Sequence, residues 1–160
     1  MFSWLKCSRT PAQIMKRRIN LWLPLLFSGI VITEIAEDFT AVKGKMKNWK
    51  LTKNMHGSQF GGSLFKFTDP IYAMMLQNIL GKSYYVWDKE AHIDFVKAAY
   101  GEVFLECRLS HAEIDAIKNA AANGEKHLPE FTVRLFDAHN ETIAIAKRIV
   151  YVRLKREHRP

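Results

Sequence analysis

Few residues in this chain have the chemistry to act on a substrate, and the most suggestive of them share one stretch. From Asn54 to Ile79 a polar, glycine-bearing turn passes Gly61-Gly62 and enters an apolar run of Leu64, Phe65, Phe67, Ile71, Tyr72, Met74, Met75, Leu76 and Ile79. A helix with so little polar face is expected to be buried nearly all round. One carboxylate, Asp69, sits inside the run and is followed at once by Pro70. An ionised carboxyl is costly to bury among apolar groups, so its presence there marks a candidate working group. The N–H groups at the helix start, near Gly61 and Gly62, lack intrahelical acceptors and can receive an anion or a developing oxyanion. A structural reading of Asp69 stands beside this one. The residue before a proline avoids helical angles, so Asp69 could cap a new helix beginning at Pro70. Spacing alone leaves both readings open.

The remaining reactive residue types form no second pattern. Six histidines (His56, His92, His111, His127, His139 and His158) show no metal-ligand spacing. Residues 57–63 have the glycines of a phosphate loop but not its lysine, and Ser63 lacks the strand and the last glycine of a nucleophile elbow. Cys7 and Cys107 are far apart in the chain, and Cys107 falls on the apolar face of a strand-like run. A reduced core thiol, and with it a cytoplasmic location, is the expectation.

The elements that must hold Asp69 and the glycine pair can be read from periodicity. Thr10-Pro11 is an N-cap followed by proline at the first helical position, and Met15, Ile19, Trp22 and Leu26 recur at helical spacing until Pro24 kinks or ends the helix, which spans residues 10–28. Ile30–Glu37 and Phe39–Lys47 read as strands, the second with Lys43, Lys45 and Lys47 on one face and Val42, Gly44 and Met46 on the other. After a loop and the apolar helix, closed by Gly81, come strands at Ser83–Val96 and Glu102–Leu109. Ala91, Ile93 and Phe95 share one face of the first; Val103, Leu105, Cys107 and Leu109 share one face of the second. Ser110 and Glu113 form a capping box for a short helix reaching Gly124. Phe131–Asp137 and Thr142–Leu154 are the last strands, joined by a turn at His139-Asn140. Strands that follow one another directly imply an antiparallel sheet, packed on one face by the apolar helix in an α+β arrangement. Residues 1–9 and 155–160 read as tails.

At 160 residues the chain is expected to form one domain, residues 1–160. A formal charge of +8 favours an anionic partner: nucleic acid, a membrane surface or a phosphorylated ligand. No recognition motif supports the first of these. Lys16-Arg17-Arg18 before an apolar run resembles a signal peptide, but no small-residue cleavage site follows. The run is also too short to span a bilayer, so no membrane span is expected.

The spacing of Asn54, Gly57, Gly61-Gly62 and Asp69 resembles the pattern N-x-x-G-x-x-H-G-G-x-x-x-x-x-x-D of the hotdog-fold acyl-CoA thioesterases of the phenylacetate-pathway type. Ile93-Asp94-Phe95-Val96-Lys97-Ala98 with Gly101-Glu102 is similar to that family's strand segment. Phe60-Gly61-Gly62-Ser63-Leu64-Phe65 with Asp69-Pro70 is closer still to its thioesterase-like DUF4442-type branch. The resemblance implies a hotdog fold, a long central helix wrapped by a curved antiparallel sheet, with subunits pairing edge to edge as a homodimer or a dimer of dimers. It implies a hydrolase for acyl-CoA or a related acyl thioester that needs no cofactor beyond the coenzyme A of its substrate. By that analogy Asp69 is nucleophile or general base, the Gly62 amide with Gly61 holds the thioester oxygen, Asn54 reaches in from the other subunit, and Asp88 stands where relatives carry a water-positioning Ser or Thr.

Two departures bear on this. Phe60 replaces the family's His, with His56 four residues earlier, and Pro70 removes a helix hydrogen bond to the Lys66 carbonyl and should bend the helix at the acid. Phe60, His56 and Phe65 would lie against substrate, and Lys97, with Lys147, Arg148 and Arg153, could meet the phosphates of coenzyme A. Met74 and Met75 could line an acyl pocket or simply fill the core. The rival reading is a non-catalytic hotdog module that binds acyl-CoA or mediates assembly.

Overall fold

The computed structural model describes residues 9–160. Six antiparallel strands lie in the order β1-β2-β4-β5-β6-β3. They are β1 (Ile30–Ile35), β2 (Ala41–Met46), β3 (Tyr84–Phe95), β4 (Val103–Arg108), β5 (Glu130–Phe136) and β6 (Thr142–Leu154). The sheet does not close, and its inner face carries the apolar stretch as two helices, α3 (Gly61–Thr68) and α4 (Ile71–Leu80). This is the hotdog architecture. Before the sheet lie α1 (Pro11–Leu21) and α2 (Leu23–Leu26); α5 (His111–Ala121) links β4 to β5.

Alternation explains the core. Ile32, Val42, Met46, Val103, Leu105, Val133, Leu135, Ala144, Ala146, Val150 and Val152 point inward and meet Leu64, Phe67, Ile71, Met75 and Leu76 of the helices. Gly44 lets the helix come close: a Cβ there would lie 2.9 Å from the Phe67 ring. Met75 is wholly buried and Met74 packs at the edge of the core, so core filling accounts for both. Cys107 is a free thiol in that core, and burial pushes its pKa up to about 12. Cys7 lies outside the described residues.

The capping signals hold. Thr10 and Ser110 each complete a reciprocal capping box, with Gln13 and Glu113. The first helix breaks at Trp22, where the backbone turns extended, and Pro24 sits in the first turn of α2. The tail read from Lys155 differs: Arg156–His158 form a 3-10 turn, and Arg159 folds back to donate to the Leu154 carbonyl at 3.0 Å.

The two sheet edges are unlike. At β1 the side chain of Asn20 pairs with the backbone of Ile32 like a neighbouring strand, accepting at 2.7 Å and donating at 2.9 Å. This ends the sheet there. At the other edge β3, twelve residues long, pairs among the described residues only with β6. A bulge at Lys89 divides it, because Asp88 pairs with Val150 and Glu90 with Ile149. The bulge swaps the faces. Tyr84, Val86 and Asp88 turn inward before it, Ala91 and Ile93 after it; Phe95, expected to turn in with them, is 52% exposed.

Candidate functional site

Asp69 ends α3 rather than starting α4. Its φ and ψ, −63° and −58°, are helical; its N–H donates to the Lys66 carbonyl at 3.2 Å, and its side chain caps nothing. The N-cap reading is therefore set aside. Pro70 cannot take the next helical bond, so the ladder breaks at the acid and resumes when Met74 donates to the Pro70 carbonyl. The expectation of a carboxylate sunk in an apolar interior is corrected at the same point. The Asp69 side chain is 52% exposed, and the buried charge is its partner, Arg148, at 3%. A chain break at the helix surface gives the carboxylate a way out to solvent that an unbroken buried helix would deny it.

Arg148 is heavily bonded. Its guanidinium donates to Asp69 Oδ1 at 2.9 Å, to Thr68 Oγ1 at 2.8 and 3.2 Å and to the Phe65 carbonyl at 2.9 Å. It also lies 4.6 Å from the centre of the Phe65 ring. Four attachments hold the fork in one orientation, and through it the carboxylate. Asp88 approaches from β3. One of its oxygens, Oδ1, is buried without a hydrogen-bond partner. Burial pushes its pKa up to about 6, the nearby Arg148 charge opposes that rise, and Asp69 adds to it. The cluster thus holds a fixed, accessible carboxylate beside a second acid that keeps its proton to higher pH than an ordinary carboxyl.

The glycine pair forms a separate place. Phe60 caps α3 in extended geometry, and the amides of Gly61 and Gly62 open the helix with no carbonyl a turn behind them. Two rings press on these glycines. A Cβ at Gly62 would come within 2.5 Å of Phe60, and one at Gly61 within 3.2 Å of Phe95. A pocket of about 270 Å³ lies here, lined by Asn54, Gln59, Gly61, Leu64, Phe95 and Lys97 among others. Asn54 spends its side chain inside its own loop, accepting from the His56 and Ser58 amides and donating to Ser58 Oγ. His56 stands exposed at the tip of that loop. Gln59, which sequence reasoning passed over, is buried. Its Nε2 is anchored on the Lys47 and Gly101 carbonyls while Oε1 has no partner.

Within the single chain, then, Phe65, Asp69 and Asp88 come together around Arg148, while Asn54, Gly61 and Lys97 share the pocket at the helix start. Gly61 and Asp69 are eight positions apart, about 12 Å along a helix axis. The basic residues offered as possible phosphate contacts each have a partner within the chain. Lys97 pairs with Glu141, Lys147 lies 3.6 Å from Glu130, Arg153 donates to the Gly124 carbonyl at 2.7 Å, and Arg148 is internal. Among the described residues, no three His, Cys, Asp or Glu side chains converge as metal ligands, and no helix is long and apolar enough to cross a membrane.

A family model described as a domain of unknown function, DUF4442, matches residues 12–152. The chain belongs to this family. Solved structures share its fold at low identity. A Pseudomonas aeruginosa protein of unknown function, a probable thioesterase, superposes with a TM-score of 0.81 at 20% identity, over 91% of this chain and 97% of that one. A Haemophilus influenzae thioesterase gives 0.68 at 12%, over 94% and 96%. The PaaI protein of the E. coli phenylacetic acid degradation operon gives 0.64 at 15%, over 92% and 97%. No curated protein matches the sequence. At these identities the likeness shows a shared hotdog fold and leaves the chemistry of the DUF4442 chain to its own residues.

Proposed function

We propose that this DUF4442 protein hydrolyses acyl-CoA or a related acyl thioester, with two protomers building each site. The carrying observation is Asp69, an accessible carboxylate held by the buried Arg148 at a break in the central helix. As general base toward water, or as nucleophile, it needs a donor at the thioester oxygen within hydrogen-bond reach of the same carbonyl. The Gly61 and Gly62 amides are the chain's best donors, but about 12 Å of helix separates them from Asp69. Amides from one protomer and the acid from another meet that requirement if two copies join through β3, the edge that pairs only with β6. Asp88, protonated near pH 6, would hold water or the leaving thiol.

The test is thiol release from acyl-CoAs of short, medium and long chain, comparing wild type with Asp69→Asn and Gly62→Val. Each variant alone should be inactive. Mixed and refolded together, they should recover roughly one quarter of wild-type activity, since half of the dimers carry one intact site of two. No recovery would refute the shared site; wild-type rates in Asp69→Asn would refute the role given to Asp69, and no thiol release by the wild type would refute the hydrolase.

A second reading has its own support. The Phe60 ring, standing where the resembled family has a His, packs against the Cα of Gly62 and offers the site no polar group. A hotdog module that binds an acyl thioester without cleaving it would show affinity for coenzyme A esters and no thiol release.

A further inference from the structure

The charge of this chain is unevenly placed. Residues 1–68 carry eleven Lys or Arg against three Asp or Glu, whereas residues 69–160 carry thirteen of each, so the whole excess of +8 belongs to the first part. Exposed apolar side chains concentrate in the same part. Leu21, Trp22 and Leu23 form the α1–α2 elbow, and Phe27, one turn after Leu23, is 75% exposed. Its amide donates to the Leu23 carbonyl, which places the two side chains on one face.

A second segment joins them. The Trp49 ring lies against Gly29, where a Cβ would meet it at 3.3 Å, and the Gly29 carbonyl accepts from Lys47 at 2.8 Å. The 3-10 turn of Lys50–Thr52 therefore starts beside Phe27–Gly29, and its Leu51 is 97% exposed. Cations border the apolar groups. Arg17 and Arg18 stand one turn before Leu21 and Trp22, Lys47 lies 4.9 Å from the centre of the Trp49 ring, and Lys50 and Lys53 flank Leu51. Among the described residues, Arg17, Arg18, Lys47 and Lys50 form no ion pair with a carboxylate.

We propose that the α1–α2 elbow and the Lys50–Thr52 turn together dock on the surface of an anionic phospholipid bilayer. Leu, Phe and Trp tips bordered by Lys and Arg match the two parts of such a surface, acyl chain below and phosphate at headgroup level. Single-stranded nucleic acid fits the charge but not the aliphatic tips, because bases stack on rings and not on Leu23 or Leu51. A second copy fits the apolar groups but not the charge, since a two-fold contact would set the same cations against themselves.

The experiment is co-sedimentation of the full chain with phosphatidylcholine vesicles, with and without phosphatidylserine. Binding should require phosphatidylserine, weaken as salt rises, and move tryptophan emission to shorter wavelength. The doubly substituted F27D/L51D protein, both sites being exposed, should stay folded by circular dichroism and lose about tenfold or more in vesicle affinity. Lys50→Gln should cost about fivefold. The proposal is overturned by equal partitioning to both vesicles or by F27D/L51D binding like wild type. It is overturned equally if F27D/L51D changes the molecule's size on gel filtration, which makes the face an interface between copies. Retention on a single-stranded oligonucleotide without vesicle binding would assign the face to nucleic acid instead.

Discussion

The two ends of α3 solve opposite problems. At the Gly61 end everything is backbone: two amides without acceptors, no charged side chain in the first turn, and aromatic rings packed against both glycines. At the Asp69 end everything is side chain: a buried guanidinium, an accessible carboxylate and a second acid with an orphan oxygen. The first end offers unpaired donors; the second gathers charged side chains. Under the hydrolase proposal, their separation along one helix is what calls for a second copy of the chain.

The largest expected effect falls on the second end. Asp69→Asn keeps the shape and removes the base, so thiol release should fall by about 10²–10⁴-fold. Its half-exposed side chain should shift the unfolding free energy by less than about 1 kcal/mol. Arg148→Met should reverse that balance. It leaves Thr68 Oγ1 without its guanidinium donor in the core and the Phe65 carbonyl with the Thr68 hydroxyl alone, at a cost of about 2 kcal/mol in urea unfolding. Asp69 also loses its anchor. Arg148→Lys should not restore the rate, because an ammonium cannot span the same acceptors.

Gly62→Ala probes the first end. The new methyl must displace the Phe60 ring, which is half exposed and free to swing, so stability should change by less than about 0.5 kcal/mol. A drop in rate of about tenfold with an unchanged unfolding midpoint would show that the amide end acts on chemistry alone. Equal loss of rate and stability would erase the contrast between the ends.

The smallest effect is a pH dependence at Asp88. Its folded pKa, raised by burial to about 6 from the ordinary 3.8, means the folded chain holds a proton that the unfolded chain has released. The resulting stabilisation is fully present below about pH 4 and is lost as pH rises through about 6. Asp88→Asn should therefore be the more stable protein at pH 7 to 8, by about 1 kcal/mol or less once solvent screening is allowed for, and the gap should close by pH 4. Thermal unfolding across that range reads the difference directly.

Much of the fold was legible because it rests on local rules. The capping boxes at Thr10 and Ser110, the alternation through Val103, Leu105 and Cys107, and the apolar run after Gly61-Gly62 each declare their element within a few residues. The site was half legible. Asp69 stood out as an acid among apolar neighbours, yet sequence placed it in the wrong surroundings and put Arg148 on the surface with Lys147. The signal was there in β6: Ala144, Ala146, Val150 and Val152 share the inward face of Arg148, so alternation alone puts its charge inside. The bulge at Lys89, which keeps Asp88 inward while reversing the strand beyond it, left no such mark, because it is set by pairing with β6.

By itself, then, the sequence determined the elements, their order and the glycine-opened helix carrying an acid, since caps, periods and breakers act over three or four residues. Only the tertiary structure decided that Arg148 rather than Asp69 is the buried charge and that Asp88 joins them. Those facts depend on which strand passes which helix, across 79 residues of chain between Asp69 and Arg148, and no local spacing records that.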